Sequence, residues 1–353
     1  MRSLYYICVL ACLLSCVSSK KTARAPLLAF KFKGLAQGTT YGITYYSMDS
    51  IFTNKNFDSI FNSIDSSLSI YKPYSLISRF NEAGDEVVMD KHLKTVVERS
   101  LQIYKQTNGI SDITVYPLVR AWGFGTKKVS SIPDSATILS ILPCVGTDKI
   151  YIAGNRLVKK NPCVKIDVNG IGQGYTVDVI AHFLERNNIQ NYLVEVGGEI
   201  RVKGSKQPGN VPFTIGIESP ADDDEVDEPI VNKTLQLRQG AITTSGNYRR
   251  YYMSNGKVIS HLVNPQTGYP IQNELISVTL FAPDAISADG YDNALMGMGL
   301  EKSFLFLRDH PELEAHFIYH TSMQKVADTA TRGFYRMLED SKQETSSKRN
   351  LTD

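Results

Sequence analysis

The hydrophobic positions in the first half of the chain recur at helical spacing in three segments. Between Phe57 and Leu68 they return every three or four residues, which predicts one buried face on a helix. The segment from Leu93 to Tyr104 repeats this pattern, and a third helix follows Gly174. The predicted inward-facing residues are Phe57, Ile60, Phe61, Ile64, Leu68, Leu93, Val96, Val97, Leu101, Tyr104, Val179, Ile180, Phe183 and Leu184.

Apolar and β-branched runs predict strands over much of the remaining chain. Two of them precede the first helix and are interpreted as a strand pair. Because the helices and strands do not alternate regularly, the pattern indicates an α+β fold with mixed sheets and packed helices rather than repeated βαβ units. The predicted strands cover residues 27–32, 39–46, 192–196, 199–203, 213–218, 258–263, 276–281 and 315–319.

The N-terminus has the pattern of an export signal. Met1 and Arg2 precede an apolar run of signal-peptide length that is too short to span a bilayer comfortably. The run ends Leu-Leu-Ser-Cys at Cys16, which resembles a bacterial lipobox with Cys16 as the lipidated residue. Removal of the signal would leave Cys144 and Cys163 in the folded part, either as a disulfide or as two buried thiols.

These features divide the chain into four predicted parts. Residues 1–19 are a signal peptide with a lipobox, and residues 20–29 are a polar tether. The folded domain is expected over residues 30–335. Residues 336–353 are polar with few hydrophobic side chains, so they are expected to form a tail.

The charge balance argues against a nucleic-acid partner. The 353 residues include 38 Lys and Arg against 36 Asp and Glu, for a formal net charge of +2. Duplex binding usually requires a concentrated basic patch, whereas these charges are mixed along the chain. Small-molecule or protein partners are therefore expected.

Two segments in the C-terminal third carry candidate chemistry. His261 can move protons near neutral pH, and the Pro/Gly turn that follows could fix its direction. If Asp289 begins a helix, the i,i+4 spacing puts Asn293 beside it, and the two oxygens suit a hard cation such as Mg²⁺. A metal site beside a proton carrier suggests phosphate chemistry. Each residue alone has a structural alternative, His261 in packing and Asp289 at a helix start.

A glycine-rich segment from Ile166 to Tyr175 is predicted to run from a strand into a helix. Such a junction directs backbone N–H groups at an anion, and its glycines let a phosphate approach closely. The segment matches neither the dinucleotide fingerprint nor a P-loop, which disfavours an ordinary NAD or ATP fold. Glycines also serve tight turns, so this segment by itself leaves both interpretations open.

Other segments carry side chains that could contact the ring or the ribose of a ligand. Asp112 followed by Thr114 suits such hydrogen bonding, and Tyr71 lies on a loop where it could stack on a ring. Either aromatic packing or ligand contact explains Tyr71. Residues 196–199 predict a hairpin turn, and residues 243–248 a polar turn with several hydroxyls.

Taken in order, these segments resemble the ApbE-type family, the FAD:protein FMN transferases of bacterial envelopes. The resemblance covers roughly residues 30 to 335. Each segment is weak evidence alone, whereas the ordered set is specific. The matching segments are 38–42, 71–81, 112–125, 167–178, 196–199, 244–248 and 261–289.

The resemblance implies an α+β, T-fold-like core with the flavin nucleotide in a cleft. Family members transfer the FMN half of FAD to a threonine hydroxyl of a target protein and release AMP. The targets are exported flavoprotein subunits of membrane redox complexes. The expected location is the cell envelope, with the protein lipid-anchored through Cys16 to the outer, periplasmic face of the cytoplasmic membrane.

By position, the resemblance also assigns the site residues. Asp289 matches the metal-binding acid, Gly170 the residue that lends a backbone carbonyl, and Asn293 a place usually held by threonine. Gln173 replaces a common lysine and Asn264 a usual aspartate. The residues that fall where family members contact FAD are Tyr41, Tyr71, Ile110, Ser111, Asp112, Asp167, Gln173 and Val263.

A mechanism follows from the charges that develop when a pyrophosphate bond breaks. Mg²⁺ on Asp289 would stabilise the negative charge on the attacking oxygen and on the departing AMP. His261 is the candidate general base for the target threonine. Two alternatives use the same residues: a Mg²⁺-dependent FAD pyrophosphatase with water as nucleophile, and a non-catalytic FAD-binding lipoprotein.

Overall fold

The computed structural model describes residues 26–124, 132–219, 230–247, 251–254 and 257–349. The predicted signal peptide, Cys16 and most of the tether lie outside these ranges. Among the described residues, no helix is both long and apolar enough to cross a membrane.

The largest sheet in the described part of the chain has eight strands, and every neighbouring pair is antiparallel. Its strands, in spatial order, are β1 (Leu28–Ala36), β2 (Thr39–Ser47), β6 (Tyr192–Val196), β7 (Glu199–Lys203), β10 (Gln239–Gly246), β13 (Leu275–Ala282), β14 (Glu314–His320) and β15 (Val326–Ala330). This α+β architecture confirms the fold class predicted from the sequence.

Smaller sheets flank this main sheet. One is made of β3 (Glu86–Val88), β4 (Ile150–Ala153) and β5 (Arg156–Lys159), and the hairpins are β8 (Phe213–Ser219) with β9 (Ile230–Leu237) and β11 (Tyr251–Ser254) with β12 (Lys257–Ser260). The helices are α1 (Asn54–Leu68), α2 (Leu76–Glu82), α3 (Lys91–Gln106), α4 (Tyr116–Ala121), α5 (Ser135–Ile141), α6 (Gly172–Arg186), α7 (Ala285–Met298), α8 (Leu300–Arg308) and α9 (Arg332–Arg349).

The three helices predicted from hydrophobic spacing are present as α1, α3 and α6. Their apolar stripes are buried because each helix covers the largest hydrophobic core, as Phe57, Val96 and Ile180 illustrate. Local capping supports the pattern, since the Asp90 side chain accepts the Leu93 N–H at 2.8 Å at the start of α3.

Different elements pack on the two faces of the main sheet. Helices α6 and α7 contact β6, β10 and β13 and belong to the largest core. A second core joins Val202 and Ile242 of the sheet to residues of the β8–β9 hairpin and to Phe334 of α9. Of the candidate site residues described below, Gln173 lies on α6, Asp289 and Asn293 lie on α7, and Tyr41 lies on β2.

The predicted tail boundary at residue 335 is wrong in part. Helix α9 begins at Arg332 and continues to Arg349, so the boundary falls inside a helix. Phe334 is fully buried and Ser341 is nearly so, while Met337 and Leu338 pack against the second core. These few hydrophobic residues share one helical face, which makes the segment stable in spite of its polar composition. The domain also begins before residue 30, because β1 starts at Leu28.

The structure resolves the open question about the two remaining cysteines. Cys144 and Cys163 form a disulfide across a sequence separation of 19 residues. The crosslink closes a loop that contains β4 and β5.

Candidate functional site

The glycine-rich segment leads into α6 through an extended stretch rather than a strand. Residues 164–168 belong to no sheet, which corrects the predicted strand-to-helix junction. The Asp167 N–H donates to the Ile113 carbonyl at 2.7 Å, and Asp167 Oδ1 accepts the Asn169 N–H at 2.8 Å. These bonds hold the turn that contains Gly170, two residues before α6 begins at Gly172.

Helix α7 carries the predicted metal residues in its interior rather than at its start. The helix begins at Ala285, where the Asp284 side chain accepts the Ser287 N–H at 2.9 Å. Asp289 is therefore in the second turn and only 3% exposed. Its Oδ2 accepts the Gly174 N–H of α6 at 2.8 Å, which excludes the alternative that it is simply a helix-start residue.

Gly170, Asp289 and Asn293 converge where α6 meets α7. Asn293 lies one turn after Asp289, and its Nδ2 donates to the Asp289 carbonyl at 3.3 Å. Its Oδ1 accepts the Ser245 hydroxyl of β10 at 3.0 Å. A Cβ atom on Gly170 would stand 3.3 Å from Asn293 Nδ2, so the backbone of Gly170 lies beside this amide. Residues separated by more than a hundred positions thus form one oxygen-rich site.

The electrostatics of this junction favour a cation. Burial raises the pKa of the Asp289 carboxyl to about 7, with the Gly174 N–H opposing the rise and the Asp178 carboxylate adding to it. A positive charge at this carboxylate would stabilise its ionised form.

Hydrogen bonds to the Asp178 side chain join α6 to the beginning of α7. Its Oδ1 accepts Arg201 Nη1 at 2.5 Å and the Ala285 N–H at 3.0 Å, and its Oδ2 accepts the Ile286 N–H at 2.9 Å. Burial raises the pKa of Asp178, while the Arg201 guanidinium opposes that rise. The two helices are thereby held in register around Asp289.

Two polar side chains of β10 donate hydrogen bonds to α7. The sequence patterns alone did not assign these side chains to the site. The Thr243 hydroxyl donates to Asp292 Oδ2 at 2.8 Å, and Ser245 contacts Asn293 as described above. Thr243 to Gly246 belong to a strand, which corrects the predicted polar turn. Thr243 and Ser245 are two positions apart, so they lie on one face of the strand. This spacing was the sequence signal that could have identified them.

The predicted FAD residues Ile110 and Ser111 pack against the other side of α7. The Ser111 hydroxyl donates to the Gly290 carbonyl at 3.4 Å. A Cβ atom on Gly297 would meet Ile110 Cγ2 at 2.6 Å, so the isoleucine lies directly over that glycine. Both residues are therefore adjacent to the helix that carries Asp289.

Asp112 is buried and extensively hydrogen-bonded, by Thr114 and Thr147. Burial raises the pKa of its carboxyl, and these threonine donors oppose the rise. Asp112 lines a cavity of about 210 Å³ that the loop after His261 also borders, through Pro265 and Gln266.

The remaining predicted FAD residues differ in accessibility. Gln173 lies against the hairpin turn of β6 and β7, since a Cβ atom on Gly197 would be 2.8 Å from Gln173 Nε2. Tyr71 is 57% exposed on the loop after α1, where a stacking ring was expected. Tyr41 is only 5% exposed, and its ring packs 4.8 Å from that of Phe61. Tyr41 therefore lies in the core, and its assignment to FAD stays a prediction, as it does for the similarly buried Val263.

His261 follows β12 instead of lying within it. That strand ends at Ser260, so the predicted strand over 258–263 is too long. The His261 ring makes an edge contact with Phe124, with centroids 6.2 Å apart. Val263 is buried and forms an isolated bridge with Pro270 across the turn.

The turn after His261 is tightly held. Asn264 Oδ1 accepts the N–H groups of Gln266 at 2.8 Å and Thr267 at 3.1 Å, an arrangement that an aspartate could also make. The indole of Trp122 donates to the Gly268 carbonyl at 2.7 Å. The turn therefore has the rigidity that the Pro/Gly pattern predicted.

Comparison with known proteins agrees with this architecture. A model of the ApbE family matches residues 37–317. The FAD:protein FMN transferase of Vibrio cholerae is 34% identical over 304 residues, which cover 84% of this chain and 88% of that protein. The FAD:protein FMN transferase of Haemophilus influenzae is 35% identical over 301 residues, which cover 82% of this chain and 86% of that protein.

Solved structures give the same result. The flavin transferase ApbE from Vibrio cholerae superposes with a TM-score of 0.79 at 31% identity, covering 89% of this chain and all of that chain. The apo flavinyl transferase ApbE from Pseudomonas stutzeri also has a TM-score of 0.79, at 30% identity, covering 89% of this chain and 98% of that chain. The chain therefore belongs to the ApbE family and, like the FAD:protein FMN transferases that it matches, is an enzyme of the transferase class.

Proposed function

We propose that this enzyme transfers FMN from FAD to a threonine hydroxyl of an exported protein, in a Mg²⁺-dependent reaction that releases AMP. The convergence of Gly170, Asp289 and Asn293 beside the N-terminus of α6 is the observation that carries the proposal. Its flavin part is supported by the names of the matched relatives, and its metal part by the geometry of the junction.

The residues at this junction fit Mg²⁺. The cation prefers oxygen ligands, and the junction offers a carboxylate, a side-chain amide and the backbone of Gly170. No group of three or more His, Cys, Asp or Glu side chains among the described residues is arranged to hold a metal ion, so a site here would rely on amide and carbonyl oxygens.

Asn293 can replace the threonine that the family resemblance implies at this place. Its Oδ1 faces Ser245, while its Nδ2 faces Gly170. Rotating the amide by half a turn exchanges these atoms, and the Ser245 hydroxyl can then accept from Nδ2. The amide oxygen would then face the Gly170 backbone, with the hydrogen bond to β10 preserved and the 3.3 Å bond from Nδ2 to the Asp289 carbonyl lost.

The chain's own residues would position the reacting groups. Bound Mg²⁺ supplies electrostatic stabilisation to the pyrophosphate oxygens as negative charge develops. The Gly174 N–H at the start of α6 bonds to Asp289 and so holds the carboxylate that would bind the metal. His261 accepts the proton of the threonine hydroxyl, the threonine oxygen bonds to the FMN phosphorus, and the pyrophosphate P–O bond breaks with the bridging oxygen leaving on AMP.

The predicted FAD residues would surround this junction. Ser111 and Ile110 pack against α7, Gln173 lies on α6 next to Gly174, and Asp112 lines a cavity that the loop after His261 also borders. Gln173 is neutral where the family resemblance implies a lysine, so we expect weaker electrostatic attraction for the pyrophosphate than a lysine would provide. Tyr41, Tyr71, Asp167 and Val263 complete the proposed set.

The proposed location is the cell envelope, at the periplasmic face of the cytoplasmic membrane, with Cys16 as the lipid anchor. The support is the N-terminal sequence alone, because Cys16 lies outside the described residues. Export would place the enzyme with its proposed acceptors, the exported flavoprotein subunits of membrane redox complexes. It also agrees with the Cys144–Cys163 disulfide, since such bonds persist in oxidising compartments.

The direct test incubates the purified full chain with FAD, Mg²⁺ and an exported flavoprotein subunit, and then measures the intact mass of the acceptor. An acceptor heavier by one FMN moiety, with AMP in solution, supports the transferase. Free FMN and AMP with an unmodified acceptor would favour the pyrophosphatase. Intact FAD that stays bound would favour the binding protein.

Replacing His261 with alanine is expected to lower the transfer rate by about 10²- to 10⁴-fold, because the attacking hydroxyl loses its general base. The Kd for FAD should remain close to that of the wild type. Single-turnover transfer measured by acceptor mass gives the rate, and fluorescence titration gives the Kd. A variant that transfers FMN at the wild-type rate would remove His261 from the mechanism.

A further inference from the structure

The Asp112 carboxylate is fixed by donors from two separate segments. Its Oδ1 accepts the hydroxyls of Thr114 at 2.5 Å and Thr147 at 2.6 Å, together with the Thr114 N–H at 2.7 Å. Its Oδ2 accepts the Thr147 N–H at 3.0 Å. Both threonines are fully buried, so these donors hold the carboxylate in one orientation.

This orientation leaves part of the carboxylate able to bind another group. Oδ1 takes three donors, whereas Oδ2 takes one and offers about two lone pairs. Asp112 forms part of the wall of the 210 Å³ cavity, together with Tyr104, Gly109, Gly146, Asp148 and Gln266. The direction of the carboxylate therefore affects what this cavity can bind.

The loop that carries Thr147 is rigid for two reasons. The Cys144–Cys163 disulfide closes it. Gly146 has a φ of +139°, a backbone conformation that L side chains rarely adopt, so the position favours glycine. In this conformation the Gly146 N–H donates to the Thr114 hydroxyl at 2.6 Å. The crosslink and the glycine together hold Thr147 against Asp112.

We propose that Thr147, anchored by the Cys144–Cys163 disulfide, is a positioning residue for FAD binding that acts through Asp112. The inference rests on the proposed function, because it takes the cavity beside Asp112 as part of the FAD site. The Thr147 hydroxyl donates to a charged acceptor, and such hydrogen bonds are stronger than neutral ones. Without it the carboxylate can reorient, which weakens FAD binding without altering the bond-breaking step.

The test compares Thr147→Val, which removes the hydroxyl but keeps the backbone N–H, with Thr147→Ser, which keeps both donors. Fluorescence titration of the full chain with FAD in Mg²⁺ should give a Kd about ten-fold higher for Thr147→Val. Thr147→Ser should restore the Kd to within about two-fold of the wild type. In transfer assays the KM for FAD should rise while kcat at saturating FAD stays unchanged.

Thr279→Val is a matched control. Thr279 is also a buried threonine, and its hydroxyl pairs with that of Thr244 at 3.0 Å within the main sheet. Its Kd for FAD should equal that of the wild type. The double variant Cys144→Ser/Cys163→Ser should also have a higher Kd for FAD. Adding Thr147→Val to it should raise the Kd by a smaller factor than Thr147→Val does in the wild type, because the two changes act through one contact.

Different results would contradict different proposals. A wild-type chain that fails to bind FAD overturns the proposed function itself. If the wild type binds FAD and Thr147→Val binds it equally well, the positioning role is wrong while the proposed function stands. If Thr147→Ser binds as weakly as Thr147→Val, the methyl packing and not the hydroxyl matters, which also overturns the inference.

Discussion

Asp289→Asn is expected to transfer FMN about 10³-fold more slowly than the wild type, even with saturating FAD and Mg²⁺. The asparagine has nearly the shape of the aspartate and can still accept the Gly174 N–H, but it lacks the charge that would hold the metal. Metal stabilisation of a pyrophosphate transition state contributes several kcal/mol, which corresponds to about this rate factor. AMP release measured by chromatography gives the rate, and the unfolding free energy should change little.

Asp289→Ala separates the metal role from the packing role. It should also abolish turnover, and in addition it leaves the buried Gly174 N–H without this acceptor. We therefore expect its unfolding free energy in urea to fall by about 1–3 kcal/mol below that of Asp289→Asn. A chelator should arrest the wild type, and added Mg²⁺ should restore it. If Asp289→Asn releases AMP at the wild-type rate, the metal assignment is wrong.

The sequence predicted the limits of a strand best where the strand has one buried face and a glycine turn marks its end. Strands β6 and β7 have the predicted limits because the Gly197–Gly198 turn separates them, and in β6 buried and partly exposed positions also alternate. Their neighbours in the sheet could not be predicted in the same way. Strand β2 pairs with β6 across a large sequence separation, and that pairing depends on how the intervening helices pack.

Helix α7 shows why periodicity fails for a fully covered helix. From Ala285 to Met296 nearly every side chain is buried, on all faces, by the sheet, by α3 and by α6. A helix of this kind has no polar stripe, so its hydrophobic positions carry no helical signal. The sequence therefore supported a helix here only through the i,i+4 spacing of Asp289 and Asn293.

The candidate site was predictable from the ordered resemblance and not from spacing. Nothing in the local pattern brings Gly170 to Asn293, yet the structure puts them in contact. The second partner of Asp112 was not predictable, because Thr147 lies 35 residues further along the chain in a loop closed by a disulfide. Sequence position also does not report exposure: Tyr41 lies in the core, whereas Tyr71 is exposed.

Gly174→Ala is expected to lower the unfolding free energy by about 3 kcal/mol, because α6 and α7 touch at this glycine. A Cβ atom there would lie 2.2 Å from the Ala285 carbonyl oxygen and 2.6 Å from Asp289 Cβ, so the helices must separate. Gly172→Ala is the matched control in the same helix turn: its Cβ atom would meet only Val168 Cγ2, at 3.8 Å. That variant should keep or gain up to about 1 kcal/mol through helix propensity. Equal urea midpoints for the two variants would show that this helix contact does not contribute to stability.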